Sequence, residues 1–272
     1  MNKELLYQNK KIFYRIVGSG IPVVLIHGFG EDGTIWNNQV EYLKDKYKLI
    51  IPDLPGSGQS ELIDDMSLEG MAEVIKSVID AEYSEVPPCG GFRGAPVIAH
   101  SMGGYILLAL VEKYWNHVSA FGLFHSTAYP DSEEKKVVRR KGIEFINQHG
   151  AFEFLETTTP NLFSQQTKDE QPELISELIA SLDNFSPAAL VSYYEAMMQR
   201  PDRTKILQKA TVPVLFIMGK YDNAVPFQDG LQQCHLPEKS YIYVLRNSGH
   251  MGMLEESDSS NQILETFLTS FQ

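Results

Sequence analysis

The sequence predicts an α/β protein: a mostly parallel central sheet flanked by helices, with a helical cap inserted in the second half of the chain. Three observations predict it. Short, almost wholly apolar runs recur along the 272-residue chain and alternate with longer helical patterns, as a parallel sheet requires. The alternation breaks once, between Ser126 and Thr211, where the pattern is helical. Ser101, Asp222 and His250 each follow an apolar run, where a parallel sheet gathers its strand ends.

In chain order, Lys3 to Val17 reads as an opening hairpin turning at Asn9 and Lys10. A Gly18-Ser19-Gly20 turn leads into the apolar run Ile21 to Ile26, a buried strand from Val23 onward. Further strands are Leu49 to Pro52, Val97 to His100, Ala120 to Phe124, Val214 to Met218 and Tyr241 to Leu245. Ser84 to Pro96, with Pro87-Pro88-Cys89-Gly90-Gly91 and Gly94, reads as an irregular surface loop at the amino ends of the sheet, away from Ser101. In the helical block, Asp131 with Glu134 three residues later caps a helix on which Val138, Phe145 and Ile146 share a face. Ser186-Pro187 opens another, striped by Leu190, Tyr193, Tyr194, Met197 and Met198. Such a stripe is needed merely to dock a helix, and the same face can line a pocket. Lys135, Lys136, Arg139, Arg140 and Lys141 read as a solvated helix face offset by Asp131, Glu133 and Glu134, unless an arginine points inward. The expected partition is a core of 1–125 and 205–272, with the cap at 126–204 after the strand ending near Phe124.

Composition narrows the class. A net charge of −12 disfavours nucleic acid and anionic membrane surfaces. No run is long enough to span a membrane, and the first residues lack a signal peptide's apolar stretch. Cys89 and Cys234 make no disulfide framework, so a cytoplasmic location is expected.

The chemistry starts at Ser101. Between the strand ending at Ala99 and the apolar helix Tyr105 to Val111 it occupies a sharp turn, which requires small residues two positions away on each side; Ala99 and Gly103 supply them. The same Ser-Met-Gly-Gly could serve as an ordinary strand-to-helix turn. A nucleophilic hydroxyl needs a base, and the base needs a carboxylate on its other nitrogen. His250, in the loop after Tyr241 to Leu245, and Asp222, after Val214 to Met218, stand in the required order. Asp229 is a weaker rival acid. A tetrahedral oxyanion needs backbone N–H donors worth about 3 kcal/mol apiece, for which the amides of Phe29, in His27-Gly28-Phe29-Gly30, and Met102 are the candidates. His27 reads as a structural pin for its loop. His100, His117, His149 and His235 carry no assigned chemistry, and no histidine spacing matches a metal site. His125, at the end of Ala120 to Phe124, is expected to line the pocket and tune selectivity, or else to hydrogen-bond the cap's first turn.

These segments, with Asp53-Leu54-Pro55-Gly56-Ser57-Gly58-Gln59-Ser60, resemble the α/β-hydrolase fold superfamily, and specifically its capped, esterase-like members, over nearly the whole chain. The resemblance implies Ser101 as nucleophile, His250 as base and Asp222 as its orienter, and makes Asp53 structural. A serine at the turn argues against relatives that use an aspartate nucleophile. The expected activity is cofactor-independent, metal-free hydrolysis of small esters with apolar groups. Cleavage of a carbon–carbon bond or a lactone by the same triad, or slow turnover as a small-molecule receptor, are the alternatives.

Overall fold

The computed structural model describes residues 1–83 and 94–271. A hairpin opens the chain: β1 (Asn2–Tyr7) pairs antiparallel with β2 (Lys10–Val17). Its turn is Gln8 and Asn9, one residue earlier than the sequence suggests, with φ of 49° and 65°. Left-handed backbone at both central residues twists the turn in the sense of the strands. There follow β3 (Ile21–Ile26), α1 (Asn37–Leu43), β4 (Tyr47–Pro52), α2 (Leu68–Tyr83), β5 (Ala95–His100), α3 (Met102–Tyr114) and β6 (Val118–Phe124). Helices α4 (Glu133–His149), α5 (Ala151–Thr158), α6 (Gln165–Glu170), α7 (Pro172–Ala180), α8 (Pro187–Gln199) and α9 (Thr204–Gln208) precede β7 (Val214–Gly219). The chain closes with α10 (Phe227–Gln233), β8 (Ser240–Leu245), α11 (Gly252–Glu255) and α12 (Ser257–Thr269).

The sheet order is β1-β2-β4-β3-β5-β6-β7-β8, parallel from β4 through β8. Strand alternation sends Val24, Ile26, Val97 and Ala99 into one core with Met71, Ile75, Ile106 and Leu110 of α2 and α3. Val23, Leu25, Leu49 and Ile98 enter the other with Val40 and Leu43 of α1 and Leu264 and Phe267 of α12. Because both faces are covered, β3, β5, β6 and β7 are buried nearly throughout, and their sequences are runs rather than alternations. The irregular reading of Ser84 to Pro96 falls mostly on 84–93, with Cys89, outside the described residues. Ala95 and Pro96 belong to β5. Cys234 is a buried free thiol.

The segment from α4 to α8 lies over the carboxyl ends of the strands. Leu155 and Leu190 press on Gly30 after β3, and Ala189 on Gly56 after β4. The Tyr193 hydroxyl donates to the Pro55 carbonyl at 2.6 Å, and the Leu162 carbonyl accepts from the His250 N–H at 2.6 Å. Three local readings change here. Ser132, not Asp131, caps α4, accepting from the Lys135 N–H. Val138 is 66% exposed and off the docking face. Arg140 and Lys141 are solvated and Lys136 pairs with Glu133, but Arg139 turns inward onto Asp131 and Lys135 reaches the Ala224 carbonyl. Among the described residues no helix is long and apolar enough to cross a membrane.

The first turn of α3 is wedged against the end of β3, since a Cβ on Gly103 would stand 2.4 Å from the His27 carbonyl oxygen. Gly103→Ala must therefore push the turn at Ser101 off the sheet. Overpacking of this kind costs about 1–3 kcal/mol, or roughly 2–10 °C in a chain of this size, which a thermal melt measures.

Candidate active site

β5 carries Ser101 to the sheet's edge, and α3 leaves from the next residue. The turn between them forces Ser101 to φ 49° and ψ −117°, left-handed backbone that a non-glycine residue adopts at a cost. Neighbouring strands hold it there. Its N–H donates to the Phe124 carbonyl at 2.9 Å and its carbonyl accepts from Ser126 Oγ at 2.8 Å. Ser101 alone is partly exposed in the buried stretch from Ala95 to Leu110.

Ser101 Oγ lies 2.8 Å from His250 Nε2, and His250 Nδ1 lies 2.8 Å from Asp222 Oδ2. Residues from three separate strand ends thus form one hydrogen-bonded line. His250 is fixed by its N–H to Leu162 and by the Glu255 carboxylate, which accepts from the Gly249 and Met251 amides at 2.8 and 3.2 Å. The other oxygen of Asp222 accepts from the Ala224 and Val225 amides, both at 2.8 Å. Burial would raise this carboxyl, but the imidazoles of His250 and His125 beside it hold it well below the usual carboxylate range. Asp229 sits on α10, where burial pushes its carboxyl up, and has no bond to His250.

The loop after β3 lies directly against the serine: a Cβ on Gly28 would be 3.1 Å from Ser101 Cβ. The amides of Phe29 and Met102 donate to no other described residue. His27 pins this loop, its Nδ1–H donating to the Gly28 carbonyl and its Nε2 accepting from the Leu54 N–H, both at 2.9 Å. Asp53 holds the Gly33 and Gln59 amides and is structural.

Two residues passed over in the sequence stand behind the site. Glu31 and His100 form a fully buried pair at 3.0 Å. The same Glu31 oxygen, Oε2, also accepts from the Gly28 N–H at 2.7 Å, while His100 Nε2–H donates to the His250 carbonyl at 3.0 Å. Burial disfavours charge on both, yet each stabilises the other: His100 is raised and Glu31 lowered from its ordinary value. The available signal was a lone acid beside a glycine loop and a histidine ending an apolar strand.

His125 is placed differently from the expectation. It is 1% exposed, behind Asp222, and neither lines a pocket with Ser101 nor bonds the first turn of α4. Its φ of 48° turns the ring down between the β7 and β8 loops. The Gly219 N–H donates to Nδ1 at 3.0 Å and the Gly252 N–H reaches Nε2 at 3.2 Å, while Nδ1 lies 3.3 Å from Asp222 Oδ2. Burial lowers its pKa to about 4, so it is neutral at pH 7. His125, Asp222 and His250 are also the described side chains close enough to share a metal ion, their ligand atoms lying within 4.8 Å. A metal there would replace the His250–Asp222 hydrogen bond and so compete with the serine.

Glu31→Gln leaves His100 buried without its counter-charge, a loss of about 3 kcal/mol. The raised His100 value means that the pair's stabilisation is fully present below about pH 6.5 and is lost as pH rises through the folded value. The lowered Glu31 value carries its own contribution down to about pH 4. The melting difference between wild type and Glu31→Gln should therefore be largest near pH 5–6 and shrink in alkali; a gap that widens with pH would refute the pair.

The sequence model of the alpha/beta hydrolase family matches residues 23–260. The 3-oxoadipate enol-lactonase 1 of Acinetobacter baylyi is 24% identical over 272 residues, 97% of this chain and 96% of that protein. The pimeloyl-[acyl-carrier protein] methyl ester esterase of Vibrio cholerae is also 24% identical, over 95% of this chain and 98% of its own. Among solved structures, a thermophilic esterase from Thermogutta terrifontis superposes with a TM-score of 0.90 at 26% identity, covering 100% of this chain and 99% of that one. The family match runs from β3 into α12 and takes in Ser101, Asp222 and His250, so the chain belongs to the alpha/beta hydrolase family.

Proposed function

We propose that this hydrolase cleaves small carboxylic esters through an acyl-enzyme on Ser101. The observation that carries the reading is the line Ser101 Oγ, His250, Asp222, with 2.8 Å at each step. Ser101 Oγ attacks the acyl carbon as its proton passes to His250 Nε2. The oxyanion so formed takes the free amides of Phe29 and Met102. His250 returns the proton to the departing alkoxide, then takes one from water, whose oxygen attacks the acyl carbon and releases the acid and Ser101. Asp222 holds the tautomer and balances the imidazolium. His125 acts through Asp222, supporting it from behind. The segment 126–204 serves as the cap over the strand ends. A relative named for a methyl ester and another named for an enol-lactone support an acyl–oxygen bond as the target. A lactone is the cyclic case of the same reaction.

Ser101→Ala should lower ester turnover by on the order of 10⁴-fold while leaving the melt intact, because the triad acts as a unit. A panel of methyl esters and lactones, assayed on both proteins, checks this; near-normal turnover by the folded variant excludes the mechanism.

Asp222→Asn should cripple turnover at neutral pH through the wrong imidazole tautomer, and Asp229→Asn should be nearly silent. His125→Ala, sealed from the substrate, should slow short and bulky esters alike, by about tenfold, the typical loss for an outer supporting group. Steady-state kinetics on two ester sizes separates the roles. A changed substrate ranking in His125→Ala would return that residue to the pocket wall.

A further inference from the structure

The two edges of the sheet are built differently. β1, at one edge, carries Lys3 and Glu4 within the strand, and charge on an edge strand is a common guard against pairing with another chain. β8, at the other edge, reads Ser240-Tyr241-Ile242-Tyr243-Val244-Leu245, with no charge and no proline. Its β-branched and aromatic residues favour extended pairing. Charges stand just beyond its ends instead. Glu238, Lys239 and Arg246 are exposed there, and none has an ion pair among the described residues.

Which backbone groups of β8 face outward follows from its pairing with β7. The Val214 N–H donates to the Lys239 carbonyl at 2.9 Å, and the Lys220 N–H to the Leu245 carbonyl at 3.0 Å. Backbone groups of successive strand residues point to opposite sides, so the odd-numbered residues are turned toward β7. Ser240, Ile242 and Val244 are turned away from it, each presenting an N–H and a C=O where the sheet has no further strand. Their side chains are open as well. β8 runs in register with β7, Phe216 beside Ile242 and Met218 beside Val244, and on that face α10 covers β7, Gly230 lying flat against the Met218 side chain. It leaves the edge bare: Ile242 is 46% exposed, Val244 37%, and Leu231 of α10 40%. On the opposite face Tyr241 is covered, its ring 5.2 Å from that of Phe267 in α12.

We propose that β8 docks on β8 of a second copy of this chain, antiparallel about a two-fold axis at Ile242, so that the two sheets become one. An axis perpendicular to the sheet keeps each face on its own side, and Ile242 is the middle residue of the outward-facing three. Ile242 then stands opposite Ile242 of the second copy, and Ser240 opposite Val244. Each is a closely bonded antiparallel pair that exchanges both N–H···O=C bonds, so every outward backbone group of both strands is satisfied. Charge selects the same register independently. Continued past the strand ends, it sets Glu238 opposite Arg246 on both sides of the axis, and Lys239 opposite Leu245 rather than a like charge. Centring on Tyr243 would set Arg246 against Ser240 and leave Glu238 unanswered. The Ile242 and Val244 side chains become cross-strand neighbours on one face and cover one another. Such a contact is self-complementary and closes at two copies.

Sedimentation velocity on the full chain over about 1–100 μM, the range in which an interface of micromolar strength fills, tests this. Wild type should pass from monomer toward dimer as concentration rises. Ile242→Lys sets two ammonium groups face to face and should raise the dissociation constant by about tenfold or more. Glu238→Arg, at an exposed position, should weaken the dimer several-fold by placing like charges opposite each other, and Glu238→Arg combined with Arg246→Glu should restore it. Far-ultraviolet circular dichroism shows that each variant is folded; should Ile242→Lys fail to fold, the charge exchange still decides. A wild-type monomer at every concentration overturns the proposal, and so does a dimer indifferent to Ile242→Lys. A dimer that the paired charge exchange does not restore overturns the register at Ile242, and growth beyond two copies overturns the closed two-fold arrangement.

Discussion

The buried contact between Glu31 and His100 ties together parts that the chain delivers separately. The loop after β3 carries Phe29, β5 leads into Ser101, and the loop after β8 carries His250; no two of these segments are adjacent in sequence. Glu31 holds the first loop through the Gly28 N–H, His100 is the residue before Ser101, and its far nitrogen grips the backbone of His250. A buried ion pair gains little net stability, because desolvation takes back most of the Coulomb energy. What it fixes is position. A shift of any one loop would leave a charge unpaired, and that is a far steeper penalty than a lost surface contact.

Three imidazoles crowd around this centre, and their charges are kept apart by their partners. His100, facing Glu31, is pushed toward the cation. His125, buried and bonded to backbone amides, is pushed to neutrality. His250 sits between them, its ring centre 4.8 Å from that of His100 and 5.7 Å from that of His125. A second cation on the far side of Asp222 would compete with His250 for the same carboxylate oxygen, Oδ2. Neutral His125 lies 3.3 Å from that oxygen without that competition. The depressed Asp222 carboxyl is the anion hydrogen-bonded to the His250 ring.

How far the sequence could be read follows from where each signal was stored. Strands covered on both faces are written as apolar runs, so β3, β5, β6 and β7 were legible to within a few residues, as was the line of Ser101, Asp222 and His250 at their ends. Edge pairing and turn chemistry are set by one or two dihedrals, which is why the hairpin turn was read a residue late. The buried charges were the least legible. Arg139 lies in a run of basic residues that looks solvated, and its partner Asp131 is shared with Arg200, far along the chain. His125 was placed correctly at a strand end, but a single left-handed φ sends its ring below the pocket instead of into it. Such outcomes depend on which long-range neighbour closes over a polar group, and local periodicity carries no record of that.

The aromatic contacts between the two parts of the fold bear on how recognition and chemistry are joined. Phe29 contributes its backbone to the serine's loop and its ring to the helical segment, stacking on Tyr194 and meeting Tyr193 and Phe154 edge-on at 6.2 and 6.3 Å. Tyr194 in turn lies under Arg139. Aromatic packing of this geometry is worth about 0.5–1.5 kcal/mol per pair beyond the area it buries. Displacing α8 from the strand ends would therefore break its two contacts with the Phe29 ring at once and withdraw side-chain support from Phe29, whose loop lies against Ser101. The loop after β3 and the helices above it are consequently one mechanical unit, so the backbone packed against Ser101 keeps its place only while α8 stays docked.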